Sequence, residues 1–295
     1  MEGLPSEARN PLLGMVCILA ATACFSSMQV LIRVLAVDVP VVEVSFFRSL
    51  FGLLLQAPLL FWFGFGTLRT GRIKLHLVRG SVHALSMVLF FIGLTQVPMA
   101  QATSLEFAAP ILSTGIAIAF LGETVHLRRL IALGVGVVGV LIVVRPGFQA
   151  VSSGQLLIML SVVLWAGCQL MIRELAKTES SFVQGIYMAA VFTPLTALAS
   201  IPVWVWPSMH SMVGLMAVAL VATIGTWLYG EAFRRAEMSA ILPLESTKLI
   251  WSVSFGWLFF SEQPEVLTLI GGVTIFSAAA YITIREAQLS RMKRV

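Results

Sequence analysis

The sequence predicts an all-α polytopic membrane protein: ten transmembrane helices arranged as two inverted five-helix repeats, with both termini cytoplasmic. Three observations predict it. The first is composition, since 58% of the 295 residues are hydrophobic and 11% are charged, against about a quarter charged in an ordinary soluble domain. The second is a succession of apolar runs long enough to cross a hydrocarbon core of about 30 Å. The third is a stretch that occurs twice. Residues 105–123 read LEFAAPILSTGIAIAFLGE and residues 244–262 read LESTKLIWSVSFGWLFFSE. Glu106 and Glu123 are 17 residues apart, as are Glu245 and Glu262. An ionised carboxylate is costly in lipid, so Glu106 and Glu245 are expected to face protein or a wet cavity.

In chain order the expected spans are roughly 12–32, 41–64, 76–95, 100–121, 128–146, 154–174, 182–204, 211–232, 239–260 and 266–285. Pro40, Pro98, Pro146, Pro207 and Pro264 lie at or near span ends, where a missing N–H costs least. No soluble domain, long linker or low-complexity segment interrupts the spans. The first run is longer than the apolar core of a signal peptide and has a later counterpart, so it is expected to be retained. The repeat extends beyond the opening pair. CFSSMQVLIRVLA at 24–36 aligns with LWAGCQLMIRELA at 164–176, matching Gln29 to Gln169 and Arg33 to Arg173 at an offset of 140, while Glu106 matches Glu245 at 139. The chain then divides into one repeat over 12–146 and a second over 154–286. Five helices is an odd number, so the second copy must sit upside down, a plan shared by many secondary transporters.

Basic residues orient the bundle. With a cytoplasmic N-terminus, 15 of the 19 Lys and Arg fall in inner segments, only Arg33 and Arg145 fall in outer ones, and Arg48 and Lys248 lie inside spans. That bias places both termini inside. The turns at 95–100 and 204–211 should face out, and those at 65–75 and 122–128 should face in. The same placement accounts for the net charge of +5 without nucleic acid as a partner. The expected location is the cell membrane, as a multi-pass protein, which in a prokaryote is the inner membrane.

The pattern also excludes chemistries. There is no G-x-x-x-x-G-K-[ST] phosphate loop, no H-E-x-x-H and no G-x-S-x-G, so ATP-driven work and the common hydrolytic sites are absent from the chain. Cys17, Cys24 and Cys168 lie inside apolar spans without disulfide or metal spacing, and read as packing residues. No cofactor and no metal is expected.

The candidate site residues are the polar groups inside spans. Arg48 lies about 10 Å into span two, either as a structural cation between helices or as the partner of a substrate anion. Glu245 and Lys248 are three residues apart and so share a helix face, where they neutralise each other or are separated by a substrate or proton. Glu106 has no charged neighbour on its own helix, which suits a proton carrier. Gln29 and Gln169 bond across helices or line a pocket. Trp165 and Tyr229, with Trp227 and Trp251, either pack or form an aromatic wall. His83, within span three, is a packed residue or a pocket residue. Gly134, Gly136, Gly139, Gly271 and Gly272 let spans five and ten approach their neighbours closely.

With these residues in view, the chain resembles the drug/metabolite transporter superfamily, and within it the EamA family, over nearly its whole length. The resemblance rests on Ala109-Pro110 followed by Leu121-Gly122-Glu123, and on Pro243-Leu244-Glu245 with Phe260-Ser261-Glu262. Glu43 with Arg48, and Arg79-Gly80 opening span three, are similar to a subgroup containing S-adenosylmethionine and riboflavin carriers and some mammalian organic-anion carriers. The second repeat departs from the pattern, with Leu249 in place of Pro110 and Ser261 in place of Gly122. The resemblance implies ten helices, a cavity between the repeats and alternating access without ATP. The expectation is a secondary transporter for a small polar organic metabolite, amino-acid-like, nucleoside-like or an organic anion, coupled to protons or working by exchange. Arg48 or Lys248 would meet an anionic group, and Glu106 and Glu245 a cationic group or a proton. A channel-like or lipid-handling protein is the rival reading. The expected partners are a small-molecule substrate and membrane lipid, with a homodimer left open.

Overall fold

The structure, a computed structural model, describes residues 10–121, 127–146, 150–236 and 238–292. The described residues form twelve α-helices and no β-strand: α1 Pro11–Leu35, α2 Val41–Phe63, α3 Ile73–Leu94, α4 Met99–Glu106, α5 Ala109–Leu121, α6 Leu127–Val144, α7 Ser153–Leu175, α8 Ser181–Ser200, α9 Met209–Arg235, α10 Met238–Glu245, α11 Thr247–Phe260 and α12 Val266–Met292. Short polar residues set several starts. Asn10 Oδ1 accepts from Leu13 N ahead of Pro11, Ser152 and Gln155 form a reciprocal capping box, and Ser180 and Ser208 cap α8 and α9. Each side chain satisfies a backbone N–H that the first turn leaves unpaired.

Seven helices (α1, α2, α3, α7, α8, α9 and α12) are long and apolar enough to cross a membrane, and α6 has a shorter apolar stretch, Leu130–Val144. Apolar side chains stand exposed in stripes, such as Leu156, Leu160 and Val163 on α7 and Val213, Met216, Leu220 and Ile224 on α9. That is the surface of a helix facing lipid rather than water.

The runs expected as single helices over 100–121 and 239–260 are each interrupted, the first between α4 and α5 and the second between α10 and α11. The causes differ. Pro110 has no N–H to give to the carbonyl four residues back, which is that of Glu106, so the first run breaks immediately after Glu106. No proline occupies the matching place in the second run. There Ser246 Oγ donates to the Pro243 carbonyl at 2.7 Å and Thr247 Oγ1 to the Leu244 carbonyl at 2.6 Å. These local side-chain bonds compete with the helical ladder.

The halves of the chain interleave. α1 packs on α9 and α7 on α3; α2 packs on α8 and α6 on α12; α1 lies against α11 and α7 against α5. Exchanging α1, α2, α3, α5 and α6 with α7, α8, α9, α11 and α12 leaves this scheme unchanged. The match reaches single residues. A Cβ on Gly14 would lie 2.6 Å from Ala236 Cβ, and one on Gly154 would lie 2.7 Å from Gln96 Cβ and 3.2 Å from the Gly93 carbonyl oxygen. Gly139 and Gly271 meet in the same way between α6 and α12, each Cβ position about 3 Å from the other's carbonyl oxygen. Gly136 faces Ile111 and Gly272 faces Ser104, but nothing lies within 4 Å of Gly134, which is therefore no packing site.

The main apolar core collects at one end of the bundle. Ile32, Val44, Leu94, Leu105, Ile158 and Leu215 are essentially inaccessible there, where α1 and α3 finish and α2, α4, α7 and α9 begin. A smaller cluster of Cys17, Ile18, Ala232 and Ile241 lies towards the other end. Cys17 and Cys168 are buried, and the three cysteines are unbridged. The turn at 122–126, which includes Glu123, lies outside the described residues.

Gly154→Leu should force α3 and α7 apart and lower stability by about 1–3 kcal/mol. Gly134→Leu serves as the control, with no change expected. Thermal unfolding in detergent, followed by loss of monodisperse protein, checks both.

Candidate functional site

Glu106 is the last residue of α4 and Glu245 the last of α10. Each carboxylate therefore sits at an interruption, where backbone groups are already released from the helical ladder. Lys248, two residues past the second interruption, donates to both Glu106 oxygens at 2.7 Å. Gln29 Nε2 donates to Glu106 Oε2 at 3.4 Å, and Thr103 Oγ1 donates to Gln29 Oε1 at 3.4 Å. The network continues through a shared hydrogen bond between the Thr103 and Ser252 hydroxyls at 2.7 Å, and another between Ser252 and Ser26 at 3.3 Å. It therefore joins α1, α4 and α11. The Lys248 side chain is 13% exposed and that of Glu106 32%, so the pair is held from one side and reachable from the other.

The expected intrahelical contact between Glu245 and Lys248 does not form. The interruption at Ser246 separates them, Lys248 crosses to Glu106, and Glu245 Oε1 instead accepts the Tyr229 hydroxyl at 2.5 Å. The Tyr229 ring packs against Phe25 and Phe233, and Lys248 Nζ lies 5.8 Å from the Phe25 ring centre. Tyr229 remains 37% exposed, which leaves the Glu245 end of the site open.

Arg48 lies on another wall. Its Nη1 donates to Met87 Sδ at 3.1 Å, and among the described residues it has no carboxylate partner. Trp165, half-buried on α7, lies 4.9 Å from the His83 ring. Gln169 is half-buried, and among the described residues no hydrogen bond joins it to the Gln29 network. Trp227 is 66% exposed and stands on the apolar surface, while Trp251 is half-buried with its Nε1 unpaired.

Two interhelical clasps were not foreseen. At the end where the main core lies, Arg33 Nη1 meets Glu262 Oε1 at 2.5 Å, Glu262 Oε2 accepts Met99 N at 2.8 Å, and the Arg33 guanidinium stacks 4.2 Å from the Phe260 ring centre. At the opposite end Glu179 accepts from the Thr70 hydroxyl and pairs with His76, whose ring stacks on Tyr187. Burial pushes the Glu179 carboxyl up, but the bonds from Thr70 and His76 and the charge of Arg72 outweigh it and hold the group below its ordinary value. One sequence signal pointed to the first clasp and to the hydroxyl network: Thr22, Ser26, Gln29 and Arg33 are spaced four, three and four residues apart, a single polar stripe along an otherwise apolar helix. No group of three or more metal-ligating side chains occurs among the described residues.

The model of the EamA-like transporter family matches residues 12–145 and again 152–284. The chain belongs to the EamA-like transporter family. It is a multi-pass membrane transporter and not an enzyme. This EamA chain is 30% identical over 271 residues to the pseudopaline exporter of Pseudomonas aeruginosa, covering 90% of the chain and 94% of that relative. It is 28% identical over 255 residues to the S-adenosylmethionine uptake transporter of Rickettsia felis, with 85% of each covered. It is 27% identical over 259 residues to the riboflavin transporter of Brucella anthropi, covering 86% and 91%. A solved crystal structure shares the EamA chain's fold with a TM-score of 0.62 at 17% identity, covering 94% of this chain and 98% of that one.

Removing one member of the Glu106–Lys248 pair leaves the other charge unpaired inside the bundle. Lys248→Met should lower stability by about 1–3 kcal/mol, less than for a sealed ion pair because Glu106 is partly open. The double change Glu106→Gln with Lys248→Met should recover most of that loss. A thermal double-mutant cycle on purified protein tests the coupling, and additive single effects would show that the pair contributes none.

Proposed function

We propose that the chain is a secondary transporter that moves a small polar organic metabolite across the cell membrane by alternating access. One observation carries this reading: the two matched carboxylates, Glu106 and Glu245, end the first halves of two interrupted helices, and a lysine of one half of the chain reaches the carboxylate of the other. Discontinuous helices with polar groups at their breaks are how membrane carriers form a solute site in an apolar medium.

The architecture of the proposal has ten spans, with α4–α5 and α10–α11 each crossing once as a broken span. Residues 12–146 and 154–286 form the two repeats, inverted relative to each other, with both termini cytoplasmic. The packing scheme that survives exchange of the two helix sets supports this arrangement. The core and the Arg33–Glu262 clasp then close the outer end, and the exposed Tyr229 with the half-buried Glu245 faces the cytoplasmic end, an inward-open state. Lipid covers the apolar stripes.

The residues proposed to line the path are Gln29, Arg48, Glu106, Trp165, Gln169, Tyr229, Glu245 and Lys248. Their contacts divide the roles. Lys248 and Glu106 neutralise each other and bind the repeats together, whereas Glu245, bonded to a neutral phenol, is free to meet a cationic solute group or to exchange a proton. Arg48 is free to meet an anion. The relatives named for S-adenosylmethionine, riboflavin and pseudopaline are all transporters of small organic molecules, which supports the substrate class without selecting a member of it.

Counterflow in proteoliposomes tests the class of mechanism. A carrier should saturate and accelerate uptake of labelled solute when unlabelled solute is preloaded, and non-saturating flux would point to a channel. In that assay Glu245→Gln, which keeps a group able to accept the Tyr229 hydroxyl, should abolish or strongly slow net uptake while expression and thermal stability stay near wild type. If Glu245 carries the proton, exchange of solute for solute should survive and the pH dependence of uptake should vanish.

Orientation is tested by single cysteines on a background lacking Cys17, Cys24 and Cys168. Val37 is 83% exposed in the α1–α2 turn and Lys74 is exposed at the start of α3. Impermeant maleimide added to whole cells should label Val37→Cys and spare Lys74→Cys, and the reverse pattern would invert the assignment.

A further inference from the structure

The wall formed by α2, α3, α7 and α8 holds two guanidinium groups with no ion pair among the described residues. Among the described residues, Arg48 makes one hydrogen bond, from Nη1 to the Met87 sulfur, and its Nε is buried without a partner. Arg79, 6% exposed, donates to the Gln184 carbonyl at 3.2 Å and to Met188 Sδ at 3.7 Å, and its Nε is also unpaired. On α3, one turn after Arg79 and on the same face, lies His83, which is 8% exposed, with a buried Nδ1 that has no partner among the described residues. His83 and Met87 are four residues apart, so the imidazole sits one turn from the sulfur that Arg48 touches. Glu106 is engaged by Lys248 and Glu245 by Tyr229, while Glu43, five residues before Arg48, accepts Val205 N through Oε1, leaves Oε2 unpaired and has no ion pair with Arg48 among the described residues.

A partly buried guanidinium facing a thioether is poorly compensated, because sulfur is a weak acceptor and recovers little of the desolvation of the charge. An imidazole with an unsatisfied nitrogen adds a second cost at the same place. An anion that accepts from both groups offsets both costs. Trp165, 4.9 Å from His83, and Phe192, 5.9 Å from it, add aromatic surface beside the charge. Since Gln184 already engages Arg79, one free guanidinium, that of Arg48, remains together with a neutral donor. That balance suits a monoanion better than a phosphate dianion.

We infer that this wall is a carboxylate-recognising subsite, in which Arg48 and His83 hold the carboxylate of the solute and Trp165 stacks on a flat ring attached to it. The inference deepens the metabolite-transport reading and rests on it for its biological meaning, but the subsite binds its ligand whether or not transport follows. Arg48 supplies the charge and the fork that a carboxylate accepts from. His83 adds a single hydrogen bond, donated to the carboxylate in the tautomer that carries its proton on Nδ1, and Trp165 gives preference for planar over saturated rings.

Three probes of similar size separate these contributions: benzoate, benzamide and cyclohexanecarboxylate, titrated into purified full-length protein and followed by thermal shift, since a ligand of the folded state raises its melting temperature. Benzoate should stabilise saturably, benzamide should not, and cyclohexanecarboxylate should bind more weakly than benzoate. Arg48→Met should weaken benzoate binding by about tenfold or more, as loss of a charged hydrogen bond does, and Arg48→Lys should fall between. His83→Phe should weaken it less. Equal stabilisation by benzamide, no saturable effect of benzoate on wild type, or unchanged benzoate affinity in a folded Arg48→Met protein overturns the subsite. The comparison of benzoate with benzamide needs no variant, so misfolding of Arg48→Met does not remove the test. Counterflow of metabolites without carboxylate-selective binding would reject the subsite and keep the transporter, whereas carboxylate-selective binding without counterflow would do the opposite.

Discussion

A carboxylate and an ammonium group placed in the apolar interior of a bundle each carry a desolvation cost that only a close counter-charge or water offsets. Glu106 and Lys248 meet this constraint across the two halves of the chain, and the rest of the polar interior is arranged around their contact. Because Lys248 turns to Glu106, it is not available to Glu245 three residues before it, which takes a phenol instead. Because Glu106 is answered by lysine, it does not compensate Arg48. One pair thus determines which charges remain for a solute. It also breaks the likeness of the repeats, since the position matching Lys248 at an offset of 139 is Ala109, and the first repeat has no lysine to return.

The two interruptions show that a local geometry is conserved between the repeats while its chemistry is not. Pro110 removes a donor and so frees the Glu106 carbonyl. Ser246 and Thr247 compete for acceptors and bend the second helix by a different route. In both cases the break falls immediately after the carboxylate, which places a charged side chain beside backbone groups that are not fully engaged. A polar solute passing there would find hydrogen-bonding partners that an unbroken helix withholds.

Much of this was legible in the chain. Long apolar runs, the low charge fraction and the duplicated Leu-Glu stretch pointed to helices in a membrane and to Glu106 and Glu245 as the residues to follow. What a single sequence reads is spacing along one helix, and the misjudged features are those that depend on spacing between helices. The partner of Lys248 is 142 residues away in the chain, so the nearer Glu245 looked like its mate. The breaks were hidden because the hydropathy of residues 100–121 and 239–260 is continuous through them. Pro110 was in plain view, but its effect falls on residue 106, four positions earlier. Trp227 has the composition of a site residue and the position of a lipid-facing one, a distinction that only burial makes. Gln169 matches Gln29 in sequence yet has no lysine-bound carboxylate to join, so the likeness of the repeats does not extend to its hydrogen bonds.

The close packing of Gly14 on α9 and of Gly154 on α3 bears on how the protein is made. The ribosome delivers α1 and α3 well before α7 and α9, so the tightest helix faces of the first half wait in the bilayer without the surfaces that complete them. Neither half has a finished interior of its own: each of the three glycine-packed pairs, α1 with α9, α3 with α7 and α6 with α12, has one helix from the first half and one from the second. The final bundle is therefore assembled late and from contacts distant in sequence, a topology that slows folding. A chain halted after α6 would hold inserted helices whose small-residue faces and polar side chains stay open to any other helix in the membrane, including another copy of the same half.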